Sequence, residues 1–359
     1  MVKPMIAEAI FWGSFLFVAY VYIGYPLVLA VWSRVGHRPM IRGYSEPTVS
    51  MIIAAYNESQ EIRRRIENCL ALDYPKDKIE IITALDGPTD GTDALVREYL
   101  GSGIRILDSP IHQGKASALN RALSVAQGEI LLFGDARQVF AGNAVRELVA
   151  NFADPRVGAV SGELVLLDES GCEARDAIGL YWRYEKRLRL MEGRIHSTLG
   201  CTGAIYAIRR ELAQPLPEDI ILDDVMLPMR AVLQGRRVVL DGRARAFDRV
   251  AISPEAEYQR KIRTLMGNYQ LILQMPELLL PWRNPVFFQF VSHKLGRLLA
   301  PYAFLALAVS NLFLRGYYLV PLAVQGIWYF LVLVGVLVSR SSVSRHLPGP
   351  ILAAGRERE

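Results

Sequence analysis

The sequence predicts an α/β fold with a largely parallel sheet, flanked by apolar segments that are long enough to cross a membrane. Two observations carry this prediction. Between residue 47 and about residue 270, short apolar runs alternate with stretches of helical periodicity, which favours a parallel sheet. Outside that region, residues 9–32, 298–314 and 316–339 contain no charged side chain. At 359 residues, the chain is long enough for roughly two units of ~150 residues.

The central region, residues 47–270, has the pattern of alternating strands and helices. Strands are predicted where apolar and β-branched residues run together, and helices where apolar residues recur every three or four positions. The predicted strands are residues 48–55, 79–85, 104–107, 129–133 and 157–167. The predicted helices are residues 59–72, 92–100, 115–126, 175–194 and 225–233.

The apolar segments predict three membrane spans. Residues 9–32 exceed the ~20 residues that a helix needs to cross a bilayer. A signal peptide is the competing interpretation, but the run is longer than a typical signal core and Ser33-Arg34-Val35 lacks a small-residue cleavage pattern. Residues 298–314 and 316–339 predict a transmembrane hairpin, and the proline-broken residues 271–297 before it predict interfacial helices.

Basic residues flank the three predicted spans. They are Arg34, Arg38 and Arg42, then His293, Lys294 and Arg297, and finally Arg340, Arg345, Arg356 and Arg358. By the positive-inside rule, the central region and the tail at residues 340–359 are expected in the cytoplasm. Membrane lipids therefore explain the net charge of +5 more simply than a nucleic acid does. The three cysteines lack CxxC spacing and fit a reduced compartment.

Three carboxylates follow predicted strands at one edge of the sheet, namely Glu58, Asp86 and Asp135. Ligands of open α/β sheets bind at this edge. Taken alone, Asp86-Gly87 also has the composition of a turn, with Thr92 or Asp93 capping the next helix. Turns do not require three acidic strand ends, so we expect a ligand site there.

The pair Gly114-Lys115 begins a predicted helix, as the Gly-Lys pair of a phosphate-binding P-loop does. That motif also requires a glycine five positions before its second glycine and Ser or Thr after the lysine. Ser109 and Ala116 occupy those positions, which argues against a P-loop.

Four motifs follow one another along the central region. They are Tyr56-Asn57-Glu58, Asp86-Gly87-Pro88-Thr89-Asp90-Gly91-Thr92, Gly114-Lys115 with Ala118-Leu119-Asn120, and Gly134-Asp135-Ala136. This order resembles that of family 2 glycosyltransferases, which have a GT-A fold. The similarity continues through Gly203-Ala204, Arg209-Arg210-Glu211, Asp223-Asp224 and Gln259-Arg260-Lys261-Ile262-Arg263. It implies a Rossmann-like, nucleotide-sugar-binding GT-A domain at residues 47–270. The flanking spans are similar to those of cellulose, hyaluronan and poly-N-acetylglucosamine synthases.

The resemblance implies a donor site for a UDP-sugar. The donor-binding residues that it implies are Tyr56, Asn57, Glu58, Asp86, Lys115, Asp135, Gln259 and Arg260. Glu58 and Asp86 would hold the uridine, because ionised carboxylates accept hydrogen bonds. Asp135 would meet Mg²⁺ or Mn²⁺, hard cations that prefer oxygen ligands and take several from the substrate.

The resemblance also implies a general base and an acceptor side. The implied catalytic residues are Asp224, Asp223 and Arg263, and the implied acceptor-side residues are Tyr181, Trp182 and Gly203. Asp224 would take the proton of the attacking hydroxyl, and the guanidinium of Arg263 suits a diphosphate. From the residues alone, a helix N-cap at Asp223, core packing of residues 175–194 and lipid contact of Arg263 remain alternatives.

Two positions depart from the family pattern. Arg137 stands two residues after Asp135, where relatives often have a second acidic residue, and its charge would repel a cation nearby. Either Asp135 alone is sufficient to bind the cation, or Arg137 neutralises part of the diphosphate charge, or catalysis is weak. Thr264 stands where long-chain synthases usually keep a Trp, which disfavours processive polymerisation.

The expected function is inverting transfer of a sugar from a UDP-sugar to a lipid-linked or growing polysaccharide acceptor, in exopolysaccharide or cell-surface glycan biosynthesis. The expected location is the bacterial cytoplasmic (inner) membrane, as a multi-pass protein with its catalytic domain in the cytoplasm. Polysaccharide-export or synthase proteins are the expected partners. The alternatives are a processive polysaccharide synthase and a catalytically weak sugar-nucleotide-binding subunit of a synthesis complex.

Overall fold

The computed structural model of the chain describes residues 2–168, 171–173, 180–249 and 254–344. The chain divides into two compact units, one formed by Met1–Tyr20 with Leu299–Glu359 and the other by Val21–Leu298. The larger unit contains the sheet and every predicted site residue.

The described part of the larger unit holds one sheet of eight strands. The strands are β1 Val49–Ala55, β2 Ile79–Leu85, β3 Ile104–Leu107, β4 Ile130–Phe133, β5 Val139–Phe140, β6 Val157–Leu167, β7 Tyr206–Arg209 and β8 Arg237–Arg249. Their order across the sheet is β3-β2-β1-β4-β7-β6-β8-β5. The first four neighbours pair in parallel, whereas β7 runs antiparallel between β4 and β6. The predicted α/β fold is confirmed, with a mixed sheet.

Helices cover both faces of this sheet. The helices of the larger unit between residues 21 and 289 are α2 Tyr25–Val35, α3 Ile62–Leu70, α4 Thr92–Arg97, α5 Lys115–Val125, α6 Ala144–Val149, α7 Leu180–Ile195, α8 Asp223–Leu233, α9 Pro254–Gln274 and α10 Phe287–Gln289. Side chains of β1 alternate between the two cores, because successive residues of a strand point to opposite faces. Ile52 packs with α5 and α8, whereas Met51 and Ile53 pack with α3 and α6.

Strand bounds were predicted better than helix bounds. The predicted strands at 79–85, 104–107 and 157–167 coincide with β2, β3 and β6. Residues 157–167 do continue the sheet, although β7 lies between β4 and β6. The predicted helix at 175–194 is observed as α7 from Leu180, and residues 174–179 lie outside the described residues.

Two helical segments are long and apolar enough to cross a membrane, by length and composition, among the described residues. They are Met5–Val35, which includes α1 Val2–Ala19 from Met5 onward and all of α2, and Gly316–Gly335, which includes α12 Leu319–Ser344 up to Gly335. The predicted span at 298–314 corresponds to α11 Gly296–Asn311, a helix of 16 residues that contains Pro301. In the predicted tail, residues 345–359 lie outside the described residues.

The segment 271–297, predicted as interfacial helices, is only partly helical. Helix α9 continues to Gln274, and a short helical turn follows at Pro276–Leu279. Helix α10 and a wide helical turn at Phe290–Leu295 then lead into α11. Leu278 and Phe290 are buried in the same core as α8, so this segment is packed onto the sheet-containing unit.

Candidate functional site

The three strand-end carboxylates lie on adjacent strands. Glu58, Asp86 and Asp135 follow β1, β2 and β4, and the sheet order places β1 between the other two strands. Parallel strands bring their carboxyl ends to one edge, which explains the arrangement. The structure therefore brings these predicted residues to one side of the sheet.

Lys115 links two of the predicted acidic residues. Its Nζ lies 3.0 Å from Asp135 Oδ1 and 3.3 Å from Asp223 Oδ1. Burial lowers the pKa of the Lys115 ammonium, but the surrounding carboxylates, Asp135 first, outweigh burial and raise this pKa above its usual value. Lys115 is therefore a fixed positive charge between the end of β4 and the start of α8.

The pair Asp223-Asp224 begins helix α8 rather than capping it. Leu222 occupies the N-cap position, and no side chain caps this end. The Asp223 side chain is buried, and its Oδ2 has no hydrogen-bond partner among the described residues. Asp224 Oδ2 accepts a hydrogen bond of 2.8 Å from the backbone N–H of Gly203. Both carboxylates are thus held by tertiary contacts.

Asp224 has the electrostatics of a general base. Burial raises the pKa of its carboxyl to about 6, with a further contribution from Asp223, while Lys115 opposes the shift. A catalytic base works best when its pKa lies close to the operating pH. Asp224 can therefore be ionised near neutral pH and still accept a proton.

Asp86 fixes the loop that precedes α5. Its Oδ1 and Oδ2 accept backbone N–H bonds from Gln113 at 2.9 Å and Gly114 at 2.8 Å, and His112 Nδ1 lies 2.8 Å from Oδ2. Gly87 has φ +63, and a Cβ there would come within 2.4 Å of the backbone carbon of Ile111. Asp86 and the glycine after it thereby set the position from which Lys115 reaches Asp135.

Tyr56 stacks on a residue that the sequence analysis did not single out. The rings of Tyr56 and His112 are 3.8 Å apart at an angle of 23°. His112 directly precedes Gln113-Gly114-Lys115, and this proximity to the Gly-Lys motif was the available signal. The stack presents an aromatic surface beside Asp86.

Asn57 and Glu58 are held by the loop after β2. Asn57 adopts a left-handed backbone with φ 52, and its Oδ1 accepts the N–H of Thr89 at 2.8 Å. The N–H of Glu58 donates to Thr92 Oγ1 at 2.8 Å. Burial raises the pKa of Glu58, and Arg137 opposes this shift. The Glu58 carboxyl group lies at the same edge of the sheet as Asp135.

Arg137 is paired with a carboxylate from β8. Its Nε lies 3.0 Å from Asp248 Oδ2, and the Gln138 side chain donates to the same oxygen at 3.0 Å. The guanidinium therefore has its own counter-ion 111 residues further along the chain. This contact reduces the repulsion that Arg137 would exert on a cation at Asp135.

The acidic pair around Lys115 fits a divalent cation that takes most of its ligands from the substrate. Asp135 has a partly exposed carboxylate, and Asp223 Oδ2 is a buried oxygen without a partner among the described residues. No group of three or more His, Cys, Asp or Glu side chains suited to a metal occurs in the part of the chain that the structure describes. A cation here would depend on diphosphate oxygens.

A cavity of about 420 Å³ opens beside Asp224. Its walls come from α7, α8, α9 and the segment before α11, and Tyr181 lines it. Trp182 lines a smaller neighbouring cavity of about 50 Å³. The predicted acceptor-side residues Tyr181 and Gly203 are therefore close to Asp224 or its cavity, and Trp182 lies next to it.

The predicted Gln259, Arg260 and Arg263 are exposed on α9. Lys115, Asp135 and Asp223 form a group that is called the Lys115 cluster below. No contact among the described residues joins Arg263 to this cluster. Thr264, the residue that replaces the Trp of long-chain synthases, lines the large cavity. The structure thus brings Thr264, but not Arg263, into contact with the space beside Asp224.

The layered sheet and its acidic strand ends define a domain of the GT-A class. Residues 50–216 match the model of the family described as Glycosyl transferase family 2. The chain contains a family 2 glycosyltransferase domain, as its ordered motifs predict, and the predicted enzyme class, a glycosyltransferase, is confirmed.

The relatives support this assignment at low sequence identity. The chain is 24% identical over 235 residues to poly-β-1,6-N-acetyl-D-glucosamine synthase from Staphylococcus epidermidis. It is 25% identical over 239 residues to the synthase of the same name from Staphylococcus aureus (strain COL). Each match covers 63% of this chain and 56% of the relative, so the chain spans little more than half of their length.

A solved structure shows the same fold over nearly the whole chain. It is the mannosyltransferase PcManGT from Pyrobaculum calidifontis in complex with GDP-Man and Mn²⁺. The TM-score is 0.71 at 23% identity, and the match covers 91% of this chain and 92% of that one. The predicted GT-A fold is therefore confirmed.

Proposed function

We propose that this protein is an inverting hexosyltransferase that moves a sugar from a UDP-sugar to a lipid-linked or growing polysaccharide acceptor. The observation that carries this proposal is the contact of Lys115 with both Asp135 and Asp223, directly beside Asp224. A positive charge suits a diphosphate, and a carboxylate with a raised pKa suits the acceptor hydroxyl. A single displacement requires a stabilised leaving group and a base, and the residues proposed for these two roles are adjacent.

In the proposed reaction, Asp224 accepts the proton of the acceptor hydroxyl as its oxygen attacks the anomeric carbon of the donor. The bond from that carbon to the diphosphate oxygen breaks, and the electron pair leaves with the nucleoside diphosphate. Attack opposite to the leaving group inverts the configuration. Lys115 compensates the charge that develops on the diphosphate. Gly203 N–H holds Asp224 in position.

Asp135, with Asp223 near it, would hold Mg²⁺ or Mn²⁺ when the donor is bound. The bound cation would supply further charge neutralisation to the diphosphate. Glu58 and Asp86 are the proposed uridine contacts, and the ring of Tyr56 lies beside them. Gln259, Arg260 and Arg263 remain proposed diphosphate ligands that lie on the exposed part of α9.

The donor panel that tests the proposal must include two nucleotides. PcManGT was solved with GDP-Man, whereas the motifs of this chain imply a UDP-sugar. Purified full-length protein is incubated with UDP-N-acetylglucosamine, UDP-glucose and GDP-mannose, and nucleoside diphosphate release is measured with Mg²⁺, Mn²⁺ or a chelator. We expect cation-dependent release of UDP. If no UDP is released from any of the UDP-sugars, the proposal is contradicted. If only GDP is released, from GDP-mannose, the donor nucleoside is guanosine rather than uridine.

A processive synthase is the second candidate. The names of the Staphylococcus relatives favour it, because both are polymer synthases. Thr264 in the cavity wall disfavours it, since long-chain synthases usually keep a Trp there. The length of the product made from a labelled donor separates the two activities.

A catalytically weak binding subunit is the third candidate. Its support was Arg137, and the ion pair with Asp248 weakens that support.

The proposed setting is the cytoplasmic face of the bacterial inner membrane, in exopolysaccharide or cell-surface glycan synthesis with export or synthase partners. Two apolar helical segments support membrane association, and a third span at 298–314 is part of the proposal.

A further inference from the structure

The cavity beside Asp224 is lined by both cationic and acidic side chains. Arg189, His293, Lys294 and Arg297 line it, together with Glu185, Glu192 and Asp224. Burial lowers the pKa of the His293 imidazole, but Glu192 and Glu185 outweigh burial and raise this pKa, which favours its charged form.

The carboxylates of the cavity already have partners. Glu185 contacts Arg297 and His293, the latter at 3.3 Å between oxygen and Nε2. Glu192 Oε1 lies 2.6 Å from His293 Nδ1 and accepts the Tyr25 hydroxyl at 2.7 Å. Asp224 is held by Gly203. Among the described residues no ion pair joins Lys294 or Arg189 to a carboxylate, although the Asp224 carboxylate attracts Lys294 at longer range.

Lys294 and Arg189 have only neutral partners among the described residues. Lys294 Nζ donates to Asn268 Oδ1 at 3.5 Å, which is a long hydrogen bond. Arg189 donates to Ser161 Oγ and to the Gly200 carbonyl, both at 3.2 Å. Burial lowers the pKa of Lys294, and the nearby carboxylates, Asp224 first, offset this shift only in part. An anion in the cavity would offset this shift further.

Much of the remaining lining is apolar, beside the polar Thr264 and Asn268, and one of its leucines begins a predicted span. Leu222, Leu265 and Leu298 contribute to the wall, and residues 298–314 are the predicted second span. The guanidinium of Arg297 lies over three tyrosine rings, at 5.5 to 5.9 Å from their centres. A hydrocarbon chain with an anionic head matches this combination better than a neutral glycan does.

We infer that this cavity binds the phosphate group of an amphipathic acceptor and presents the neighbouring hydroxyl to Asp224. The inference rests on the proposed glycosyl transfer and names the class of its acceptor, a phosphate-bearing membrane lipid or lipid-linked sugar. Lys294 and Arg189 bind the phosphate, and the leucines contact the start of the lipid chain. The phosphate is bound but not altered, so the bonds that form and break are those of the proposed transfer.

Binding to the full-length protein in nanodiscs of neutral phosphatidylcholine tests the inference. The probes are octyl phosphate, the neutral octyl glucoside, and inorganic phosphate, which lacks a tail. We expect octyl phosphate to bind at least about tenfold more tightly than either of the other probes, the range for one partly buried charge pair. Equal binding of octyl phosphate and octyl glucoside would overturn the inference. If inorganic phosphate bound as tightly as octyl phosphate, the inferred contact with a lipid chain would be wrong.

The variant Lys294→Met tests whether octyl phosphate binds in this cavity. We expect it to remove most of the preference for octyl phosphate over octyl glucoside, and Lys294→Arg to restore that preference. Because the preference is a ratio within one preparation, a loss of folded protein cancels out. Lys78→Met is the matched control, since Lys78 is a partly exposed lysine 3.5 Å from Glu46 and away from the cavity. Equal loss in both methionine variants would show binding to the general basic surface and contradict the inference.

The proposed function is tested independently of this cavity. UDP release from the donor panel without any acceptor reports on the donor site alone. Release with no preference for octyl phosphate would refute the acceptor class and leave the glycosyltransferase proposal standing. A clear preference without release from any donor would refute the proposed function instead.

Discussion

At the scale of single residues, the roles of the acidic side chains differ because their partners differ. Asp86 accepts two backbone N–H groups, one on each oxygen, whereas Asp135 and Asp223 share Lys115. Asp224 has one backbone donor and a raised pKa. The sequence identified all four residues, but not these partners, because each contact joins segments that are far apart in the chain.

The pH dependence of transfer follows from Asp224. Its base function requires the ionised carboxylate, and burial raises its pKa to about 6. We therefore expect kcat/KM to fall as the pH drops through about 6 and to level off above about pH 7. A pH profile measured at saturating cation concentration checks this. A rate that is constant from about pH 5 to pH 8 would contradict the assignment.

Arg137→Asp is expected to change the metal dependence of activity. The substitution removes the ion pair with Asp248 and places an acidic group two residues after Asp135. More oxygen ligands should lower the Mn²⁺ concentration for half-maximal activity, by several-fold. Arg63→Asp is the control, because Arg63 forms an exposed pair with Glu98. Identical Mn²⁺ titrations for Arg137→Asp and the parent protein would count against a cation at Asp135.

At the scale of elements, the sequence predicted strands where apolar residues run together and missed those with a mixed pattern. Strand β8, Arg237–Arg249, alternates buried alanines with exposed arginines, as at Ala244, Arg245 and Ala246. The period of two was present, but alanine and arginine are weak strand formers. Pairing with β6 decides the conformation, and such long-range pairing cannot be read from one segment.

The loop that holds Asp224 is sensitive to one methyl group. A Cβ at Gly203 would lie 3.2 Å from Asp224 Oδ2, so Gly203→Ala should displace the carboxylate by a few tenths of an ångström. We expect kcat to fall several-fold with little change in KM for the donor, because catalysis depends on exact orientation. Gly142→Ala is the control, since its Cβ would meet no atom within 4 Å. Equal kcat values in the two variants would contradict a positioning role of this loop.

At the scale of the whole molecule, the proposed cytoplasmic location of the catalytic unit can be tested through its cysteines. Cys172 is exposed, whereas Cys69 and Cys201 are buried and burial raises the pKa of both thiols. Cys172 therefore reports on the side of the membrane that the catalytic unit occupies.

We expect a membrane-impermeant maleimide to label the protein in inverted inner-membrane vesicles and not in intact spheroplasts. Cys172→Ser should abolish the labelling, because the other two thiols are buried and mostly protonated. Labelling is followed by the mass shift of the purified chain. Labelling of Cys172 in intact spheroplasts would place the catalytic unit on the opposite side.

Asp224, held beside the Lys115 cluster, is proposed as the base of a sugar transfer. The most direct test compares Asp224→Asn with the parent protein in native membranes, by the rate of labelled sugar transfer and by the Kd of the donor nucleotide. We expect transfer to fall by about 10²–10⁴-fold in Asp224→Asn, while the Kd stays within about twofold of the parent value. A variant that transfers sugar at the parent rate would contradict this role of Asp224.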